Sequence, residues 1–191
     1  MRKILGISGK MCNGKDSLAN FIFNELAGRT NIPIYKTSFA NPIKAILEIM
    51  FPQIDPYCFY GPSELRKKKI EGYVNPQTGD DLSIRDALTQ IGKWGRDCNK
   101  DFWVSAIVNK FPQNEDRIII VTDCRFSNEI EALRKFNAKI IRVIRPDITI
   151  TSNDCSETDL DNYTDFDKVI INDTLDNLRK EAISIIKEYI L

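Results

Sequence analysis

Two glycines five residues apart, the second followed at once by lysine, mark Gly9-Lys10-Met11-Cys12-Asn13-Gly14-Lys15 as a candidate phosphate cradle. Glycine lets a backbone wrap until successive N–H groups face one anion, and the lysine adds a full charge beside the outer phosphates of a nucleotide. Gly9, Lys10, Asn13, Gly14, Lys15, Asp16 and Ser17 are therefore the phosphate-binding candidates. Where serine or threonine usually follows the lysine this chain has Asp16, with Ser17 one place later. Successive helical residues point about 100° apart, so the two cannot serve one spot in turn. A carboxylate beside phosphates is repulsive unless a cation lies between, and Mg²⁺ takes hard oxygen ligands while keeping waters. Either Asp16 holds such an ion, or Asp16 orients the loop and Ser17 approaches the metal; both stay open.

The chain has no histidine, which removes Ser-His-Asp and Cys-His catalysis and histidine-containing zinc sites together. Lys, Arg, Asp, Glu and a hard metal remain. Phosphoryl transfer asks for little else, because positioning and charge stabilisation supply most of its catalysis. Lys+Arg and Asp+Glu both total 27, so no net field favours a nucleic-acid backbone or an anionic membrane. The five cysteines, Cys12, Cys58, Cys98, Cys124 and Cys155, form no C-x-x-C pair, as expected of reduced thiols in a cytoplasm-like compartment. No run approaches the roughly 18 apolar residues of a membrane span, and the start of the chain is apolar too briefly for a signal peptide. A soluble, cytoplasmic protein is expected (host-cell cytoplasm for a viral chain).

Positioning such residues takes a scaffold, and the pattern predicts one. Short apolar runs alternate with helical patterns, as in a parallel sheet covered on both faces by helices. Strands are expected at Ile4–Ser8, Ile34–Phe39, Ile118–Val121, Lys139–Ile144 and Lys168–Ile171. Helices are expected over Ser17–Ala27, from Asn41-Pro42 as N-cap and first residue, over 83–99 behind a Ser83-x-x-Asp86 capping box, and over 101–111, 127–136 and the C-terminal stretch. Residues 52–82 look irregular and carry the basic cluster Arg66-Lys67-Lys68-Lys69, of which Lys67–Lys69 reads as a solvated helix face, with a phosphate contact as the alternative. The whole is one α/β kinase-like domain of about five parallel strands: a core over about 1–40 and 115–191, an acceptor-binding helical insertion over 41–114, and a lid over 146–167.

In a parallel sheet ligands gather at the carboxyl ends of the strands. Asp123 ends the buried third strand, Arg125 follows two residues later, and Arg142 and Arg145 lie on or just after the fourth. A GTPase would read guanine through N-K-x-D, but Asn99-Lys100-Asp101-Phe102 has phenylalanine where the acid belongs. A small-molecule kinase is left. Lys15, Asp123, Arg125 and Arg145 are its catalytic candidates, and Asp16, Ser17 and Asp123 its metal candidates.

Several segments together resemble deoxynucleoside monophosphate kinases of viral type, within the P-loop nucleoside monophosphate kinase-like group. Gly14-Lys15-Asp16-Ser17 is similar to their G-K-D-[ST], and Leu88-Thr89-Gln90-Ile91-Gly92, Arg96 and Phe102-Trp103-Val104 to their middle segment. Asp123-x-Arg125-Phe126-x-Asn128-Glu129, Arg142-Val143-Ile144-Arg145 and Ser156-Glu157-x-x-Leu160-Asp161 follow in the same order, over roughly residues 3–178. The resemblance implies ATP as donor, Mg²⁺ as cofactor, and a deoxynucleoside monophosphate as acceptor, with Arg96, Arg125, Arg142 and Arg145 contacting substrate or transferred phosphates; the acceptor-binding candidates are Arg66, Arg85, Arg96, Trp103, Arg125 and Arg142. Phosphomevalonate-type kinases share the G-K-D, D-x-R and S-E-x-x-L-D patterns, and a non-catalytic ATP-binding module is the other alternative. Ser156-Glu157-Thr158-Asp159 also reads as a capping box. Residues 146–167 hold seven acids and no Lys or Arg, so any lid cation must come from its base. Of the aromatics, Trp94, Phe102 and Trp103 are either base-stacking or core. A homodimer stays open.

Overall fold

The computed structural model describes residues 2–112, 115–148 and 154–191. They divide into two compact units, one of residues 1–39 and 108–191, the other of residues 40–107.

The first unit is a five-stranded sheet. Its strands are β1 (Lys3–Ser8), β2 (Ile34–Ser38), β5 (Ile118–Cys124), β6 (Lys139–Ile144) and β7 (Lys168–Ile171), in the order β2-β5-β1-β6-β7. Every pairing is parallel. Parallel strands need crossovers: α1 (Lys15–Ala27) supplies the one from β1 to β2 and α6 (Ser127–Arg134) the one from β5 to β6, while α8 (Leu175–Ile185), continued by a π-helical turn Ile186–Ile190, follows the last strand. Leu18, Ile22 and Leu26 of α1 and Leu178, Ala182 and Ile185 of α8 meet Leu5, Ile7, Ile118, Ile120, Ile141, Val143 and Ile170 in one core. Ile130 and Leu133 of α6 are fully buried, and Leu133 Cδ1 lies 3.0 Å from where a β-carbon on Gly6 would stand. The central strands are thus covered on both sides, which is why Ile118–Val121 reads as an unbroken apolar run.

The expected strands match closely; β6 and β7 have the expected bounds, and β5 runs on to Cys124. That extension matters. Between Gly6 and Ser8, β1 advances two residues while the paired stretch of β5 advances from Val121 to Cys124. The extra residue is a bulge, and it contains Asp123 at φ 68°.

The second unit holds α2 (Asn41–Met50), α3 (Tyr57–Tyr60), a 3-10 turn Ser63–Lys67, β3 (Lys69–Val74), β4 (Asp81–Ser83), α4 (Ile84–Cys98) and α5 (Phe102–Val108, through Ile107). Two expectations are corrected here. Asn41 is not the N-cap: Ala40 holds that position with helical backbone and its carbonyl accepts from Lys44 N at 3.0 Å, so Asn41 is the first helical residue. The basic run is not a helix face either, because the 3-10 turn ends at Lys67 and Lys69 opens an antiparallel hairpin with β4. The capping box at Ser83 is present as expected. Asp86 N donates to Ser83 Oγ at 3.1 Å and Ser83 N donates back to Asp86 Oδ2 at 3.0 Å. Leu47, Phe51, Phe59, Ile70, Leu82 and Ile84 form this unit's own core.

Candidate functional site

The loop between β1 and α1 is tied down at several points. Gly9 (φ 153°) and Gly14 (φ 97°) adopt backbones that side chains rarely tolerate. A β-carbon on Gly9 would lie 2.6 Å from Val143 O, and one on Gly14 would lie 2.3 Å from Asn172 Nδ2. Asn13, buried, donates through Nδ2 to Val143 O at 3.1 Å, and its own carbonyl accepts from Asn172 Nδ2 at 2.9 Å. Lys15 opens α1 and is 5% exposed; its Nζ donates to Lys10 O at 2.7 Å. Burial pulls the Lys15 ammonium below its ordinary pKa, against the pull of Asp123 in the other direction. Asp16 is exposed in the first turn of α1, and Ser17 beside it is half-buried.

At the neighbouring strand end the bulge brings Asp123 Oδ1 to 3.6 Å from Lys15 Nζ. A left-handed aspartate costs on the order of 1–3 kcal/mol, a strain typical of functional positions. Arg125 Nε donates to the same Oδ1 at 2.6 Å, so two cations share one carboxylate at the mouth of the loop. Burial alone would weaken the Arg125 charge, but Asp123 and Glu157 outweigh it and hold the guanidinium firmly protonated. The turn carrying Arg125 is fixed by Glu129, whose Oε2 accepts from Arg125 N at 2.7 Å and Phe126 N at 3.1 Å. Burial pushes Glu129 up to about 8 despite those two donors.

A further element reaches the loop. The short helix α7 (Cys155–Thr158) is capped by Asp154, which accepts from Ser156 N at 2.8 Å. Ser156 is therefore not the cap of a capping box: the capping residue lies two positions earlier. This leaves Glu157 to the site. Its Oε2 accepts from Met11 N of the loop at 2.9 Å, and its Oε1 pairs with Arg125 Nη1. Asp159 Oδ2 accepts from Ser127 N at 2.7 Å, and Asp161 pairs with Lys10 at 2.7 Å. Arg142, on β6, donates to Ser8 Oγ at 2.9 Å and lies 5.5 Å from the Phe166 ring centre. Desolvation lowers its pKa, while Asp161 and Glu157 oppose that. Arg145 is exposed just past the end of β6.

No cluster of three or more His, Cys, Asp or Glu side chains able to hold a metal occurs among the described residues. The oxygens near the loop, those of Asp16, Ser17 and Asp123, could supply one or two ligands to an ion whose other ligands are phosphates and waters, the usual habit of Mg²⁺. No helix among the described residues is long and apolar enough to cross a membrane.

The family profile described as deoxynucleotide monophosphate kinase matches residues 62–182. The chain belongs to that family. A protein of Acanthamoeba polyphaga mimivirus, named as a candidate deoxynucleotide monophosphate kinase, is 25% identical over 197 residues, covering 95% of this chain and 94% of its own. Among solved structures, a sugar kinase from Janibacter sp. HTCC2649 is 11% identical, with a TM-score of 0.43 over 98% of this chain and 95% of its own. A candidate plasmid partition protein of Borrelia burgdorferi B31 bound to AMPPNP is 16% identical, with a TM-score of 0.36 over 97% of each chain.

The span matched to the deoxynucleotide monophosphate kinase family starts after the glycine loop and takes in all three of the second unit's arginines. There Arg66 donates to Phe59 O and Gly61 O, both at 3.3 Å, and Arg85 donates to Ser63 O at 3.1 Å. Arg96, half-buried, lies along α4 with Nη1 3.4 Å from where a β-carbon on Gly92 would stand. Trp103 is 5% exposed and donates to Gly92 O at 2.9 Å, its ring filling the space a side chain on Gly95 would need. Trp94 and Phe102 are the exposed rings of that trio, with centres 5.6 Å apart. The lid expected over 146–167 includes residues 149–153, which lie outside the described residues. Asn172 and Glu129 were not singled out as site residues from sequence. Glu129 has a signal, the third position of a helix start; Asn172, in the turn between β7 and α8, has none.

Proposed function

We propose that this member of the family transfers the γ-phosphoryl group of ATP to a deoxynucleoside monophosphate, giving the diphosphate, with Mg²⁺ bound to the nucleotide. The observation that carries the reading is the convergence of Lys15 Nζ and Arg125 Nε on Asp123 Oδ1, at 3.6 and 2.6 Å, beside a glycine-bent loop that starts a helix. Phosphoryl transfer needs cations held where negative charge develops, and a preorganised donor there is worth more than a solvated one.

In this reading the loop amides and the N-terminus of α1 bind the β-phosphate. Lys15 follows the outer phosphates, and Arg125 turns from Asp123 toward the phosphoryl group in transit. Arg142 and Arg145 supply further charge from β6 and its end. Asp16, Ser17 and Asp123 would hold Mg²⁺, which when bound offsets charge on the β- and γ-phosphates. Arg66, Arg85 and Arg96 are proposed acceptor contacts; Trp103, buried against Gly92 and Gly95, is a core ring and not a stacking surface. Family membership supports the nucleotide acceptor; it does not specify the base.

The test is ADP release from Mg-ATP with a panel of deoxynucleoside and nucleoside monophosphates and phosphomevalonate, with a control lacking acceptor. Deoxynucleotide-dependent release is the expected result. Release with phosphomevalonate alone would overturn the acceptor assignment, and ATP binding without release on any acceptor would overturn the enzyme.

A further inference from the structure

One carboxylate joins the two halves of the phosphate site. Glu157, 9% exposed, gives one oxygen to Met11 N in the loop at 2.9 Å and the other to Arg125 Nη1. These donors belong to different elements, the turn after β1 and the turn after β5. A planar carboxylate has a fixed separation between its oxygens, so it sets the distance between the amide of one element and the guanidinium of the other. Arg125 has its remaining partner in Asp123, and its main chain is anchored by Glu129. The guanidinium is thus aimed by Glu157 on one side and Asp123 on the other. The sequence pattern offers Ser156 as the cap of a box that includes Glu157; the cap is Asp154 instead, and the two Glu157 oxygens go to Met11 N and Arg125 Nη1.

We propose that Glu157 is a positioning residue for phosphoryl transfer, acting through Arg125 and the Met11 amide; this rests on the function proposed above. Its charge bears on the expected signature. Lys10, Lys15, Arg125 and Arg142 surround the loop together with Asp123, Glu157 and Asp161. Removing the Glu157 charge leaves the site more positive and no less attractive to ATP. Loss of position should therefore lower kcat while the KM for ATP holds or falls. General loosening of the fold would lower kcat and raise KM together.

The experiment uses the full chain and Glu157→Gln, which keeps size and one acceptor oxygen but cannot accept from both donors. Glu157→Asp, with both oxygens on a stem one methylene shorter, is the second variant. Each is measured for kcat, KM for ATP and thermal midpoint, alone and combined with Arg125→Lys. We expect kcat to drop roughly 10- to 100-fold in Glu157→Gln, the loss associated with a displaced catalytic group, with an unraised KM for ATP. In the double variant the loss should be close to that of Arg125→Lys alone, because a residue acting through Arg125 has nothing left to position. Multiplicative losses in the double variant, an unchanged kcat, or a KM that rises as kcat falls would each overturn the proposal. If wild type phosphorylates no monophosphate, the proposed function and this role fall together; an active wild type with multiplicative losses removes this role alone.

Discussion

Replacing Asn172 tests whether the phosphate loop is held from the far edge of the sheet. Its Nδ2 donates to Asn13 O at 2.9 Å, and both residues are buried, at 7% and 6% exposure. Asn172→Ala removes the donor and leaves that carbonyl short of a partner, which costs about 1–3 kcal/mol. For a chain of this length each kcal/mol moves the thermal midpoint by about 2–4 °C, so a loss of roughly 2–12 °C is expected. Asn172→Asp is the sharper probe. At neutral pH it sets a carboxylate oxygen against a carbonyl oxygen, and should destabilise more than alanine does. The burden raises the pKa of the new carboxyl in the folded state. By linkage, the stability it contributes is present in acid and lost as pH rises through that raised value. Once protonated, its O–H can donate to Asn13 O, so near pH 4 the gap between the two variants should close or reverse. Thermal melts of wild type and both variants at neutral pH and near pH 4, with KM for ATP at neutral pH, make the measurement. If Asn172→Asp is no less stable than Asn172→Ala at neutral pH, or the gap ignores pH, the amide does not hold the loop as described.

Lys15→Ala should cost at least ~100-fold in kcat while the protein stays folded, in line with removal of one preorganised electrostatic donor; a near-normal rate in a folded variant would contradict the assignment. In Asp16→Asn the half-saturating Mg²⁺ at fixed ATP should rise, and an unchanged value would shift the metal role to Ser17 or Asp123. Glu129 carries a folded pKa of about 8 against an ordinary 4.5, so its stabilising contribution is complete below about 4.5 and disappears as pH rises through about 8. Glu129→Gln, neutral at every pH and still an acceptor for Arg125 N and Phe126 N, should therefore gain on wild type in denaturation midpoint from about pH 5 to about pH 9. Parallel pH profiles of the two proteins would refute that.

Local signals carried the sheet and the loop. Ile118–Val121, Lys139–Ile144 and Lys168–Ile171 are short, apolar and bounded by turns, and each becomes a parallel strand of one sheet. Gly9 and Gly14 were legible because only glycine suits their backbones. The hairpin of β3 and β4 was not, for physical reasons. Ile70 is the one buried residue of β3, so no alternating pattern marks the strand, and Gly72 and the lysines before it break the propensity. Its turn did leave a trace in Asn75-Pro76-Gln77-Thr78-Gly79-Asp80, where Gln77 N donates to Asn75 Oδ1 and Gly79 N to Asn75 O. Asp123 was legible as an acid at a strand end, but the bulge that turns it toward Lys15 depends on the register between β1 and β5, and register is a tertiary property.

The acidic stretch around α7 is where sequence and structure bear on each other most. Its lack of any lysine or arginine counts against a segment that brings cations to a nucleotide, and the contacts give those acids another use. Lys10, Lys15, Arg125 and Arg142 lie around one loop and repel one another without phosphate. Glu157 and Asp161, with Asp123 from β5, pair with three of the four, and Asp159 satisfies the amide at the start of α6. A cationic site that takes phosphates, as proposed, has to be stable before the anions arrive, and carboxylates from a neighbouring segment provide that stability. The same arrangement sets a condition on binding. Under the proposed function, phosphate oxygens compete for Met11 N, Arg125 and Lys10 with carboxylates already there, so only the excess of their affinity over those pairs is seen as binding.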